Sequence, residues 1–228
     1  MVQDPRIETW SFKKYQDPAI LICSALLVIA GLVAIFNPTP LSIIALVAAL
    51  LVWGIILYFF RDPSREVVKE KGLVVSPCDG EVVSIEAFEE KTYLKSKTIR
   101  ISVFLSLFDV HVQRIPLAGK VSLVEQKPGE FLQAFRPEAS DVNEYIAMVL
   151  ESDYGNILVK QIAGILARRC INYANAGTVV ETGQRFGHIK FGSRVDLFLP
   201  QSAEIKIKVG EKIYGGLTPV AYLNHDDK

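Results

Sequence analysis

A serine that directly follows a glycine, in the run Phe191-Gly192-Ser193-Arg194, is the pair in this 228-residue chain with the most chemistry to explain. It precedes a strand-like stretch, Val195-Asp196-Leu197-Phe198-Leu199-Pro200. Two readings fit: an ordinary turn, or a bond that the chain cuts in itself, converting Ser193 into a pyruvoyl group. Cutting requires help, because a serine hydroxyl is a weak nucleophile at its free pKa and needs a base. A glycine on the acyl side suits it, since it tolerates strained backbone and has no Cβ to block attack.

Histidine is the side chain best matched to proton transfer near neutral pH, and the chain has three. His225 lies in the polar tail Asn224-His225-Asp226-Asp227-Lys228 and reads as solvated. His188, five residues before Ser193, reads as structural. His111 falls in Asp109-Val110-His111-Val112-Gln113-Arg114. If that stretch is extended, Asp109, His111 and Gln113 share one face, because side chains alternate along a strand. Such a face is either solvated or a site. Asp79, in Ser76-Pro77-Cys78-Asp79-Gly80, reads first as a turn residue; in a catalytic reading it orients His111. An Asp79, His111, Ser193 set would be a triad by type, but triads are recognised by geometry, and the GxSxG elbow of many serine hydrolases is absent.

Elements must hold these residues in place. From Pro18 to Phe60 no residue is charged, and Asn37-Pro38-Thr39-Pro40 splits this stretch into Ala19–Phe36 and Leu41–Phe60. Each half is long enough to cross a bilayer as a helix, and the break is helix-ending chemistry. A cleaved signal peptide fits poorly, since a second apolar run follows at once; a buried core hairpin is the plainer alternative. Arg6, Lys13 and Lys14 precede the pair, and Arg61 and Arg65 follow it. By the positive-inside tendency both ends are therefore cytoplasmic. The expected organisation is a cytoplasmic segment at 1–17, a transmembrane hairpin at 18–60, and a cytoplasmic domain at 61–228 held at the cell membrane.

The formal net charge is zero, which argues against a nucleic-acid partner. Cys23, Cys78 and Cys170 are scattered, with no CxxC pair, so neither a metal site nor a disulfide framework is indicated. From Gly72 onward, short runs rich in Val, Ile and Phe alternate with Gly, Pro and Asp turns. They predict a mainly β, barrel-sandwich-like domain with strands at 73–76, 81–88, 98–105, 120–126, 147–150, 157–161, 178–180, 189–191, 194–199, 203–209 and 218–223. The spacing of Ile162, Ile165 and Leu166 predicts a helix around Ile162–Ile171, with continuation of the preceding strand as the alternative. The segments 76–83 and 209–216 form a loose internal echo.

Taken in order, Phe60-Arg61-Asp62-Pro63, Ser76-Pro77-Cys78-Asp79-Gly80, Asp109-Val110-His111-Val112-Gln113-Arg114, Asn143-Glu144, Gln161-Ile162-Ala163-Gly164, Ala167-Arg168-Arg169 and Phe191-Gly192-Ser193-Arg194 resemble the short-form phosphatidylserine decarboxylase family, including its archaetidylserine decarboxylase relatives. The resemblance implies a carboxy-lyase made as a proenzyme. Self-cleavage between Gly192 and Ser193 would give a large chain, 1–192, and a small chain, 193–228, with Ser193 becoming a covalent pyruvoyl cofactor. No metal and no pyridoxal phosphate are implied. His111 is the implied base and Asp79 its partner. The pyruvoyl carbonyl would take the amine of a serine phospholipid and act as an electron sink while carbon dioxide leaves, giving phosphatidylethanolamine. The family also implies a homodimer.

Two departures stand out. Long-form members have a second histidine where this chain has Arg114, so one imidazole would serve both reactions and Arg114 becomes a candidate for the lipid phosphate. Arg168, Arg169 and Arg194 are the others, and Glu144 is a candidate for the substrate amine. Cys78 stands where a small apolar residue is more usual. The C-terminal segment 207–221 also resembles biotinyl and lipoyl domains, which would suggest a membrane-anchored binding or adaptor module. Those domains present a lysine in the hairpin where this chain has Phe191-Gly192-Ser193-Arg194.

Overall fold

The computed structural model describes residues 17–133, 136, 138–164, 170–189 and 193–224, with Asp141 described by its backbone alone. The chain divides into two compact units, a helical pair ending at Asp62 and a β domain from Pro63 onward.

The helical pair is Pro18–Phe36 (α1) and Pro40–Phe59 (α2). Each begins with proline at its first turn, where no N–H is needed, and each has a side-chain cap. Asp17 accepts from the Ala19 amide at 3.0 Å. Thr39 and Ser42 form a reciprocal capping box, the arrangement that satisfies two orphan amides at once. The Trp53 indole N–H donates to Ser24 Oγ at 3.0 Å, tying the helices together. Most apolar side chains on both helices are exposed, unlike those of a buried core hairpin. Both helices are long and apolar enough to cross a membrane.

The β domain contains Leu73–Val75 (β1), Gly80–Glu90 (β2), Ser96–Leu105 (β3), Val112–Arg114 (β4), Gly119–Lys127 (β5), a short helix Ala139–Val142 (α3), Tyr145–Ser152 (β6), Gly155–Ile162 (β7), Cys170–Asn172 (β8), Val179–Val180 (β9), Arg185–Ile189 (β10), Ser193–Pro200 (β11), Glu204–Ile205 (β12), Lys212–Ile213 (β13) and Pro219–Tyr222 (β14). Among the described residues, eight strands form one sheet in the order β13-β2-β3-β11-β7-β6-β5-β9; β1-β14-β12 and β4-β10-β8 form two smaller ones. All the named pairings are antiparallel. β11 lies in the interior of the large sheet, paired with β3 on one side and β7 on the other. Val195, Leu197 and Leu199 point into the main core with Ile101, Val103, Leu105, Val159 and Met148.

The two echoing segments face one another. Lys212 and Ile213 of β13 pair with Glu81 and Gly80 of β2, and the Val82 amide donates to the Glu211 carbonyl at 2.9 Å. Gly80 has φ +155°, and a Cβ there would lie 2.3 Å from the Phe104 carbonyl oxygen, so the turn after Asp79 has no room for a side chain.

The two ends of the predicted helix Ile162–Ile171 are extended rather than helical. Ile162 ends β7 between Tyr145 and Arg194, and Cys170 begins β8; residues 165–169 lie outside the described set. Ile162 is fully buried, its strand conformation set by packing within the sheet. The stretch from Asp109 is not one strand either. Ser106–Asp109 is a turn closed by an Asp109 N–H to Ser106 O bond of 3.0 Å, and only Val112–Arg114 is extended.

Candidate active site

Ser193 opens β11 opposite Leu105 of β3. By strand alternation its side chain shares the face of Val195 and Leu197. It is fully buried, and its Oγ has no hydrogen-bond partner among the described residues. A buried hydroxyl left unsatisfied costs about 1–3 kcal/mol, and such groups concentrate where a structure serves chemistry rather than stability.

Leu105 continues into the turn that ends at His111. Asp109 pins this turn: its carboxylate accepts from the Ser106 amide at 2.8 Å and hydroxyl at 2.7 Å, and from Lys212 at 2.7 Å. Burial works against its ionisation, but Lys212 and Ser106 outweigh burial and hold the carboxyl below its ordinary value. The Asp109 carbonyl then lies 2.9 Å from His111 Nδ1. A carbonyl only accepts, so Nδ1 carries the proton and Nε2 is the basic nitrogen of the neutral ring.

The ring's backbone is braced as well. Gln113 Nε2 donates to the His111 carbonyl at 2.9 Å, and Gln161 Nε2 donates to Gln113 Oε1 at 2.9 Å. Asn172 Nδ2 donates to Gln161 Oε1 at 3.2 Å. This amide relay runs across β4, β7 and β8. The Ile189 amide at the end of β10 also donates to the His111 carbonyl, at 3.3 Å. The sheet neighbour of Ser193 and the chain just before it therefore both lead to His111. Gly192 lies in the intervening residues, 190–192, which are outside the described set.

Asp79 has other partners than the expected one. Arg65 Nη1 and Nη2 donate to its two carboxylate oxygens at 2.5 and 2.8 Å, and the Gly215 amide donates at 2.8 Å. Arg65 also donates to the Gly215 carbonyl at 2.6 Å. Asp79 thus fastens the turn at Gly80 to the C-terminal segment, while the His111 ring takes its orientation from Asp109. Cys78 beside it is fully buried. Burial, then the nearby carboxylates of Asp79, Asp109 and Asp196, push its thiol well up, so it stays protonated.

The remaining candidates separate. Arg194 points to the opposite face from Ser193, where its guanidinium bonds Asp196 at 2.7 Å and Ser102 at 2.6 Å. Asp196 in turn accepts from Ser140 at 2.7 Å, anchoring α3. Arg114 is buried and donates to the carbonyls of Gly183 and Pro63 at 3.2 and 3.1 Å. Glu144 accepts from Gln126 at 3.2 Å near the surface. Its neighbour Asn143 clamps Leu132 and Ala163, donating to both carbonyls at 2.9 and 2.7 Å. Arg168 and Arg169 lie outside the described residues. His188 stacks on Tyr173. No group of three or more His, Cys, Asp or Glu with metal-binding geometry occurs among the described residues.

Sequence reasoning missed Arg65, which reads as a flanking charge, and the Gln161–Asn172 relay, whose residues become neighbours only through strand pairing. It also missed Lys212, which lies 103 positions from its partner Asp109.

Residues 54–221 match the family model described as phosphatidylserine decarboxylase. Among similar proteins, the phosphatidylserine decarboxylase proenzyme of Carboxydothermus hydrogenoformans is 39% identical over 72% of this chain and 78% of its own length. That of Symbiobacterium thermophilum is 41% identical over 74% and 79%, and that of Syntrophotalea carbinolica 40% identical over 80% and 91%. With a matching model across nearly all of the β domain and relatives at this identity, the chain belongs to the phosphatidylserine decarboxylase family.

Proposed function

We propose that this chain is a proenzyme that cuts its own Gly192–Ser193 bond and then decarboxylates phosphatidylserine. The observation that carries the reading is Ser193 Oγ, a fully buried hydroxyl without a hydrogen-bond partner among the described residues. It stands where the neighbouring strand and the preceding chain both lead to a histidine whose Nε2 is the basic nitrogen.

In the first reaction His111 accepts the Ser193 hydroxyl proton as Oγ attacks the Gly192 carbonyl carbon. The C–O bond forms, the Gly192–Ser193 C–N bond breaks, and the freed amine takes a proton. Removal of the Ser193 Cα proton expels the Gly192 carboxylate and leaves a dehydroalanine. Water then hydrolyses this residue, releasing ammonia. The pyruvoyl group so formed at position 193 supplies a carbonyl electron sink for an amine-bearing substrate. His111 then returns a proton to the substrate Cα once carbon dioxide has left. Asp109 acts behind it as the positioning residue, while Asp79 and Arg65 fasten the turn at Gly80 to the C-terminal segment. Arg114 and Arg194 are committed to internal partners, which leaves Arg168 and Arg169 as the phosphate ligands and Glu144 as the surface group for the amine.

The two apolar helices suit a substrate that stays in the bilayer, with the β domain on the cytoplasmic side. An ether-linked archaetidylserine presents the same headgroup, and parallel assays of carbon dioxide release from both lipids decide between them.

The test is a denaturing gel with intact mass. Wild type should yield pieces of about 21 and 4 kDa, at roughly 110 Da per residue, while Ser193→Ala stays whole. His111→Ala should slow the cut by about 10²–10⁴-fold, the usual contribution of a positioned base. A His111→Ala chain that cuts at the wild-type rate removes His111 from the mechanism.

A further inference from the structure

The turn between Ser193's sheet neighbour and His111 has an unusual composition. Turn positions favour Gly, Pro, Asn, Asp and Ser, yet Leu107 and Phe108 occupy the middle of this one. Both are exposed, Leu107 at 44% and Phe108 at 76%. The turn is also held firmly from behind, since Asp109 bonds the Ser106 amide and hydroxyl and Lys212. Its tip thus carries exposed apolar side chains on a fixed turn. Tyr214 and Val209, within three residues of Lys212, are exposed too, at 48% and 57%. Exposed aromatic and aliphatic side chains at the rim of a site are the chemistry of interfacial lipid contact. The same chain carries two helices apolar enough to cross a membrane, so a bilayer is the apolar surface at hand.

We propose that the Leu107–Phe108 tip is an interfacial wedge that dips into the lipid surface beside the site and opens a path for the lipid headgroup to His111 and position 193. This rests on the reading that the substrate is a membrane phospholipid. The polar pins at Ser106, Asp109 and Lys212 keep the wedge registered on the catalytic ring, because Asp109 supplies the carbonyl that orients His111.

The direct test uses the full chain in nanodiscs of phosphatidylcholine and phosphatidylserine. A Phe108→Cys, Cys23→Ala variant carries an environment-sensitive fluorophore at position 108; Cys78 and Cys170 are buried. The wedge predicts blue-shifted emission, quenched by lipids bearing a nitroxide near the headgroup. Water-like emission that these lipids leave unchanged overturns it. Activity gives the second arm. Phe108→Ser should self-cleave fully and still act on a short-chain, water-dispersed phosphatidylserine, yet lose about tenfold on bilayer lipid, the scale of one buried phenyl ring. Equal loss on both lipids, or none on either, overturns the wedge. If folded wild type neither cuts nor releases carbon dioxide, the proposed reaction fails, and the fluorophore arm still decides the surface contact.

Discussion

Nδ1 of the His111 ring hydrogen-bonds a main-chain carbonyl, and that carbonyl belongs to a residue whose carboxylate fastens the turn. Ionised Asp109 therefore matters twice, for the turn and for the tautomer. Its pKa is depressed in the folded state, so its contribution to stability is present above the ordinary aspartate value and is lost as the pH falls through the depressed one. Acidification below about pH 4 should loosen the turn, read as faster hydrogen exchange at residues 106–111, and Asp109→Asn should show that exchange already at neutral pH. Arg65 and Asp79 make the other residue-scale prediction. Both are almost fully buried, so Arg65→Ala strands a carboxylate, and the cost should be about 3–5 kcal/mol in a denaturant melt. A smaller loss, below 1 kcal/mol, would mean that water reaches Asp79 once the guanidinium is gone.

At the scale of elements, the proposed cut falls just before a strand inside the large sheet. β11 pairs along its length with β3, over Ser193–Pro200, and with β7 over Arg194–Phe198, and its Val195, Leu197 and Leu199 are fully buried. Breaking the chain at its first residue removes none of these contacts. The two pieces should therefore co-elute as one species in a native sizing column and part only in denaturant; release of the 193–228 piece without denaturant would contradict this. The sequence made this strand legible, because a run of alternating and continuous apolar residues after a glycine reads plainly as buried β structure. Residue type and motif also singled out Ser193, His111 and Asp79 as candidates, and the structure buries all three. What the sequence hid is what only pairing creates. Ile162 looked helical by spacing but is clamped between Tyr145 and Arg194. Asp79 looked like the partner of His111, yet the guanidinium of Arg65, 14 residues earlier, takes it. Arg194 looked free to bind an anion, whereas strand alternation turns it away from Ser193 and onto Asp196.

For the whole molecule, a helical pair with apolar side chains exposed on its surface and a mainly β enzyme domain belong to one chain. Burying such helices in lipid is strongly favourable, and alkaline carbonate washing should leave the protein in the membrane pellet; recovery in the supernatant would contradict a spanning pair. The decarboxylase family supplies the reaction class, and the proposed self-cleavage assigns the buried serine its role. All of the proposed chemistry depends on Ser193 ceasing to be an ordinary residue. The measurement that tests this most directly is the intact mass of the purified, folded wild-type chain under denaturing conditions. Two species of about 21 and 4 kDa are expected, the smaller beginning with a pyruvoyl group at position 193 and lacking a free amino terminus. A single uncut species of 25.3 kDa with an intact Ser193 hydroxyl would contradict it.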